Sequence, residues 1–312
     1  MSNKEQYREF CAVEPAVPLF LKDWWLDAVC KDWDAAIVKN GDKVSGIWPY
    51  CMENRINVSI IRDQVLTPYM GPFVFYPNDL KHSKRDNFQH ETIAALLDEM
   101  PEAKVWHLSA FPGLKQVGLF TTHKFDVQVR QTFIMPLSDK IEDIFSRLHE
   151  DYRRNVRKAE KEITIANEPE MLQQLWGYQK ATLDKKDVRM HFTQPQLQAV
   201  FDACNEHGCT ALWVARKEGE AEAILWQVWD DVQAYYLVGS KNPLSNDNRA
   251  MTALIWHAIA HAASLGKTGF DFEGSMDQGV EKFFRNFGGK RQLYLVLRKN
   301  DSMLWKLKER LR

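Results

Sequence analysis

In FDFEGS, residues 270–275, two carboxylates alternate with two aromatic rings and a glycine ends the run. In an extended chain Asp271 and Glu273 project from one face, and Phe270 and Phe272 from the other. A carboxylate held partly out of water has a raised pKa and can take a proton from a reacting amine. Asp271 and Glu273 are therefore the first candidates for a catalytic base. The structural alternative is that Asp271 caps a backbone amide or pairs with Arg285. Tyr235 and Tyr236 alternate across the strand AYYLVGS (234–240). A phenol on that strand either donates to a developing oxyanion or sits in the core with its hydroxyl satisfied. The segment SRLHEDYRRNVRKAEKE (146–162) reads as one helix with no Gly or Pro. Its Arg154, Lys158 and Lys161 share a face by helical spacing. With Arg157 they form a candidate phosphate-binding set. Glu150, Asp151, Glu160 and Glu162 are interleaved, which leaves an ion-paired solvated face as the other reading. Arg189, with Lys185 and Lys186, lies in the polar stretch DKKDVRMHF (184–192), a loop able to close over a substrate.

Several familiar motifs fail on inspection. Gly266-Lys267-Thr268 resembles the end of a phosphate loop, but His261 stands where its first glycine should be and a helix ends there rather than begins. His257 and His261 lie four apart with no neighbouring glutamate and no third ligand, so packed histidines are favoured over a metal site. No GxSxG elbow and no GxGxxG fingerprint occurs. No metal is expected.

The bulk composition narrows the classes further. The chain has 312 residues, 45% hydrophobic and 12% aromatic, which is enough for a packed core and suggests two domains or one large one. A net charge of −1 gives the surface as a whole no attraction to nucleic acid, and no DNA partner is expected. Five cysteines without a CxxC pair point away from a disulfide framework or zinc knuckle and toward a reducing cytoplasm. Neither a signal-peptide core nor an apolar run of about 18 residues is present, so no transmembrane segment is expected.

The elements around these residues repeat. Phe20–Cys30 reads as a helix, and Ala35–Val38 and Val44–Tyr50 as strands around an Asn-Gly turn. Val58–Ile61 follows as a strand, Phe88–Glu99 as a helix and Lys104–Ser109 as extended chain. The second half reads Gln194–Asn205 as helix, then the hairpin 211–215 and 221–229, the strand 234–240, a helix from Arg249 to Ser264, and the strand GFDFEG. Gly41 precedes Trp48 by seven residues, and Gly219 precedes Trp226 by seven. The shared order of helix, hairpin, strand, helix and strand suggests a duplicated α/β unit.

Four stretches of the second half resemble the GNAT-like Fem group, which includes peptidoglycan aminoacyltransferases. They are YRRNVRKAEK (152–161), AYYLVGS with NRAMTALIWHAIAHAASLG (248–266), FDFEGS, and GVEKFFRNFGG (279–289). TPYMGP (67–72) fits the same group in the first half. The resemblance implies a mixed α/β (α+β) fold of tandem GNAT-like (acyl-CoA N-acyltransferase-like) domains, residues 1–140 and 141–312, with the last residues packing back on the first domain. It implies that FDFEGS is a central strand splayed from AYYLVGS, opening a notch in which Glu273, Asp271 and Tyr236 meet. Tyr69 and Trp226 join the candidate substrate contacts. The implied activity is transfer of an acyl or aminoacyl group to an amine on a small molecule or cell-wall precursor. The co-substrate is then acyl-CoA or aminoacyl-tRNA, with no resident cofactor.

The sequence departs from the group's pattern twice. Phe284 stands where a lysine is usual, so Arg285 or Lys282 must replace it, or the chain is a binding protein that kept the fold. The loop KNPLSNDNRAM (241–251) has no glycine, which counts against an acyl-CoA pyrophosphate at the following helix.

Overall fold

A computed structural model describes residues 2–303 except 56, 246, 248 and 275. The chain divides into two compact units. One takes residues up to Arg130 and those from Leu293 onward; the other is Gln131–Gln292, against the expected 1–140 and 141–312. Residues 304–312, expected to pack on the first domain, lie outside the described set.

The first unit opens with helices α1 (Asn3–Val13) and α2 (Asp23–Val29). The hairpin β1 (Trp33–Asn40) and β2 (Lys43–Arg55) turns at Gly41, whose φ of +63° suits glycine. Strands β3 (Val58–Arg62) and β4 (Phe73–Val74), helix α3 (Arg85–Glu99), strand β5 (Val105–Ser109) and helix α4 (Val117–Thr122) follow. β5 runs parallel to β3, with Arg62 opposite His107 as the last pair. The core gathers Trp48, Leu96, Trp106, Leu108 and Phe120.

The second unit runs β6 (Asp126–Pro136), α5 (Ile141–Ser146), α6 (Glu150–Ala159), β7 (Thr164–Asn167), α7 (Leu172–Asp184), α8 (Gln194–Glu206), β8 (Thr210–Lys217), β9 (Glu220–Trp229), β10 (Gln233–Lys241), α9 (Arg249–Ser264), β11 (Gly269–Asp271) and α10 (Gln278–Arg285). Its sheet order is β6-β11-β10-β9-β8-β7. The final strand, β12 (Lys290–Asn300), pairs antiparallel with β5 and so completes the sheet of the first unit, β1-β2-β3-β5-β12. β6 plays the matching part beside β11. Each unit is therefore closed by a strand that follows the other unit's helices in sequence.

Three expectations change. The predicted helix 146–162 shortens to α6 (Glu150–Ala159), because residues 147–149 are not helical and the His149 amide donates to Asn286 O at 2.8 Å. The strand through FDFEGS stops at Asp271, since Phe272 is the last residue whose amide finds β6, donating to Phe133 O at 3.0 Å. Cys30 and Cys51 form a disulfide, with Cα atoms 6.3 Å apart. Their 21-residue separation carries no recognisable motif, and only the pairing of β1 with β2 brings them together. Cys11, Cys204 and Cys209 are free and buried.

Candidate active site

Parallel strands β10 and β11 share only three residue pairs, ending at Tyr235 opposite Asp271. Past that pair β10 continues to Lys241 while β11 stops. A bulge between Tyr236 and Val238 shifts β10 against β9 at the same level. Bulges bend a strand and re-aim its side chains, so the parting is built into the backbone. Below it Phe270, Phe272 and Phe287 are fully buried and pack edge to face or tilted within 5.6 Å. Each such ring contributes about 1.5–3 kcal/mol by burial.

Glu273 stands where the strands have parted. Its φ of +56° is unusual for a residue with a side chain, and Gly274 follows at +61°. A Cβ on Gly274 would lie 2.2 Å from the Gln131 carbonyl oxygen, so the second position must be glycine. The Glu273 Oε1 is buried and has no hydrogen-bond partner among the described residues. Burial, with the Asp271 carboxylate adding repulsion, pushes its pKa well above the usual carboxylate range.

The neighbouring carboxylate is a different kind of group. Asp271 is fully buried, accepts from Thr132 Oγ1 at 2.5 Å and from the Glu273 amide at 2.8 Å, and lies 3.5 Å from Gln233 Nε2. It is a spent acceptor that fixes the backbone under Glu273. The amide-capping alternative therefore describes Asp271, while the pairing with Arg285 does not form.

Tyr236 reaches the same place. Its ring packs on Phe284 at 5.4 Å, and its hydroxyl makes no hydrogen bond among the described residues. Burial and the nearby Glu273 carboxylate both raise its pKa, so the phenol keeps its proton and can donate it. A Cβ on Gly239 would stand 2.0 Å from the Tyr236 hydroxyl oxygen, so the phenol lies across the bare backbone of Gly239. The sequence did flag this position in one way, because a glycine inside a strand often marks a bulge or a close approach. Tyr235 points elsewhere, its hydroxyl on Asp230 at 3.2 Å.

The remaining candidates are scattered. Phe284, in the place expected for lysine, is buried against Tyr236 and Phe272. Arg285 is exposed and 3.9 Å from Glu281, because it faces away from Phe284 on a short amphipathic helix. Arg154 is exposed and paired with Asp151 at 2.5 Å; Lys158 and Arg189 are exposed. Arg157 lies over the Phe145 ring. Trp226 is fully buried, its Nε1 donating to Thr210 Oγ1 at 2.6 Å, and Tyr69 is buried among Phe20, Phe111 and Tyr294. Both are packing residues, a correction that follows from the inward face of β9 and from the tight TPYMGP turn.

Two loop features frame the site. Lys185 Nζ bonds to Pro243 O at 3.0 Å and Lys186 Nζ to Asp277 Oδ2 at 3.3 Å, so the 184–188 segment is tied to the loops after β10 and β11. At the start of α9 the Asp247 carboxylate accepts the Arg249 amide at 2.8 Å and bonds the Arg249 guanidinium, which also meets Glu162 at 3.2 Å. Helix starts attract anions, and this one already holds its own. Asn246, Asn248 and Ser275, part of the sequence motifs, lie outside the described residues. Among the described residues no group of three or more His, Cys, Asp or Glu side chains is arranged to hold a metal, and no helix is long and apolar enough to cross a membrane.

Residues 146–285 match the Acetyltransferase (GNAT) domain family. The crystal structure of FemX is similar over 94% of this chain and 95% of its own, with 14% identity and a TM-score of 0.67. The C-terminal domain (DUF2156) of a putative lysylphosphatidylglycerol synthetase from Agrobacterium fabrum is similar over 96% of this chain and 93% of its own, at 12% identity and a TM-score of 0.56. L-PGS from Bacillus licheniformis is similar over 97% and 94%, at 12% identity and a TM-score of 0.53. At these identities the likeness is one of fold. No curated protein matches the chain by sequence.

Proposed function

We propose, from the match of residues 146–285 to the Acetyltransferase (GNAT) domain family and a fold like that of FemX, that the chain transfers an acyl or aminoacyl group to an amine acceptor at the parting of β10 and β11. The observation that carries the reading is the buried Glu273 oxygen beside the Tyr236 hydroxyl, both without a hydrogen-bond partner among the described residues. A buried carboxylate without a partner is costly, and such groups concentrate at functional sites. In the reaction, Glu273 takes a proton from the neutral acceptor amine as its nitrogen attacks the acyl carbon. The Tyr236 hydroxyl donates to the oxyanion that forms there. Collapse of the tetrahedral adduct expels the donor's oxygen or sulfur, which takes the proton on departure. Asp271 and Thr132 act by holding the Glu273 backbone in place.

The donor we favour is an aminoacyl ester such as aminoacyl-tRNA, with a cell-wall precursor peptide as acceptor. Support comes from the α9 start, where Asp247 stands at the amide that a CoA pyrophosphate would need, and from the likeness to FemX. Exposed Arg154, Lys158 and Arg189 supply cations for a phosphate-bearing substrate in this reading. Arg285, turned away and near Glu281, has no part in the chemical step. The buried Phe284 and the glycine-free loop 241–251 are the features that favour a non-catalytic binding protein.

The test is calorimetric titration with coenzyme A, acetyl-CoA and a UDP-linked muramyl peptide, followed by single-turnover assay with charged tRNA. Peptide binding without CoA binding, and aminoacyl transfer abolished in Glu273→Gln, is the expected pattern. Tight CoA binding would overturn the donor assignment. Transfer undiminished in the variant would remove Glu273 as the base.

A further inference from the structure

Away from Glu273, the second unit holds two cavities whose walls share Trp256 and Glu160. The larger, 640 Å³, is lined by Phe145, Arg153 and Arg157 among others. The smaller, 340 Å³, is walled by Val156, Ile163, Ile165, Ala253 and Ala260. Both volumes are in the range that small ligands occupy. Both arginines line the larger cavity, and the smaller is mainly apolar, with Glu160 and His257 also in its wall.

The two arginines differ in how they are held. Arg153 Nη1 donates to the carbonyls of Ser146 at 2.6 Å and Leu148 at 2.9 Å, so it is tied to the turn between α5 and α6. The Arg157 guanidinium lies 5.6 Å from the centre of the Phe145 ring and forms no ion pair among the described residues. Phe145 in turn meets Trp256 at 4.8 Å, tilted by 54°. An anion reaching Arg157 therefore brings its body against an aromatic wall. Glu142 and Glu160 are exposed in the same walls. Two carboxylates and two guanidiniums line the larger cavity, so their charges sum to zero and a polyanion gains little there. That balance disfavours nucleoside phosphates. Beside Glu160 and His257, the adjoining pocket is lined by apolar side chains, which add a favourable place for an alkyl chain.

We propose that this double cavity binds a single-chain amphipathic monoanion, with a carboxylate head on Arg157 and an alkyl chain beside Val156, Ile163, Ile165 and Ala253. The inference stands independently of the transfer reaction.

The experiment is calorimetric titration of the full chain with monomeric laurate, and with AMP, inorganic phosphate and phosphatidylglycerol vesicles as comparisons. Laurate is expected to bind one to one. Affinity should climb from hexanoate to laurate by about fourfold per added methylene. Arg157→Met should weaken laurate at least about tenfold, and Arg157→Lys much less. Ala260→Phe, which fills the apolar pocket from a half-buried position, should weaken it comparably. The chain-length series uses the unaltered protein and decides the matter even where a variant fails to fold. The proposal is overturned by no laurate binding, by affinity independent of chain length, by AMP or phosphate binding tighter than laurate, by binding to vesicles alone, or by laurate binding unchanged in Arg157→Met and Ala260→Phe.

Discussion

In the first unit, β3 and β5 part after Arg62 and His107; in the second, β10 and β11 part after Tyr235 and Asp271. Counting one residue on along the first strand reaches Asp63 in one unit and Tyr236 in the other. Counting two residues on along the second reaches Ser109 and Glu273. In the first unit these positions are stitched. The Asp63 carboxylate accepts from the Ser109 amide at 2.9 Å and from its hydroxyl at 2.8 Å. The amides of Met70 and Gly71 both donate to Ser109 O at 2.9 Å. A Cβ on Gly71 would lie 2.6 Å from the Ala110 Cα, so the TPYMGP turn is pressed into the gap. In the second unit the corresponding phenol and the Glu273 Oε1 find no hydrogen-bond partner among the described residues. One backbone arrangement is thus closed for stability in one unit and left unsatisfied in the other, as expected of a site kept for chemistry.

The contrast can be broken most directly at Glu273. Glu273→Gln should lower transfer by about 10²–10⁴-fold, while Asp63→Asn leaves the chemical rate nearly unchanged; equal losses in a transfer assay would end the distinction. The pH behaviour sharpens it. Turnover should rise with pH as Glu273 loses its proton, and the variant should lack that limb. Stability should move the other way. Because the folded-state pKa is raised, Glu273 contributes stability that is complete below its unfolded value and lost as pH rises through the folded one. Melting curves of Glu273→Gln against the unaltered protein should therefore shift in the variant's favour as pH increases.

Next in size is Gly239→Ala. The added methyl must displace the Tyr236 phenol, and a misplacement of this order costs about 10²-fold in turnover. The effect should fall on kcat more than on KM, and a melting temperature near that of the unaltered protein would separate positioning from unfolding. Asp63→Asn should cost the first unit about 1–3 kcal/mol in denaturant unfolding through the weakened Ser109 bonds. Burial raises the Asp63 pKa to about 7 against the pull of those bonds. Its stabilising contribution is then complete below about pH 4 and fades as pH rises to about 7, so the deficit of the variant should shrink over that window. The smallest change is expected for Arg154→Ala. Its exposed pair with Asp151 is worth less than about 0.5 kcal/mol, so urea midpoints should barely move.

How much of this was legible in the sequence depends on what each feature rests on. The hairpins were readable because Asn-Gly and Glu-Gly turns sit between apolar runs, and Gly41 and Gly219 do adopt positive φ. α9 and β10 were readable from unbroken apolar composition. The end of β11 was not, because alternation in FDFEG says nothing about where the partner strands stop. β6 and β12 escaped notice for a related reason. Each carries several charged or polar residues, and each is held by pairing with a strand distant in sequence, Asp271 opposite Ile134 and Val296 opposite Ser109. Glu273 was found by residue type, yet its distinction from Asp271 lies in Thr132, which sits 139 residues away. Trp226 and Tyr69 misled because large aromatic residues suit a core and a binding site equally well.

The crossed assignment of β6 and β12 bears on how the chain is made. During synthesis β5 emerges early, but the strand that pairs with it, through Val296 and Leu297, emerges only after all of the second unit. Until then β5 presents a bare edge to its surroundings, of the kind that invites wrong pairing. The second unit holds β6 before any of its other strands and can close as soon as β11 arrives. Order of completion is therefore reversed relative to order of translation, and the long separation of the β5–β12 pair makes that last step slow. A released chain ending at residue 292 should protect the second unit from proteolysis while leaving the first open.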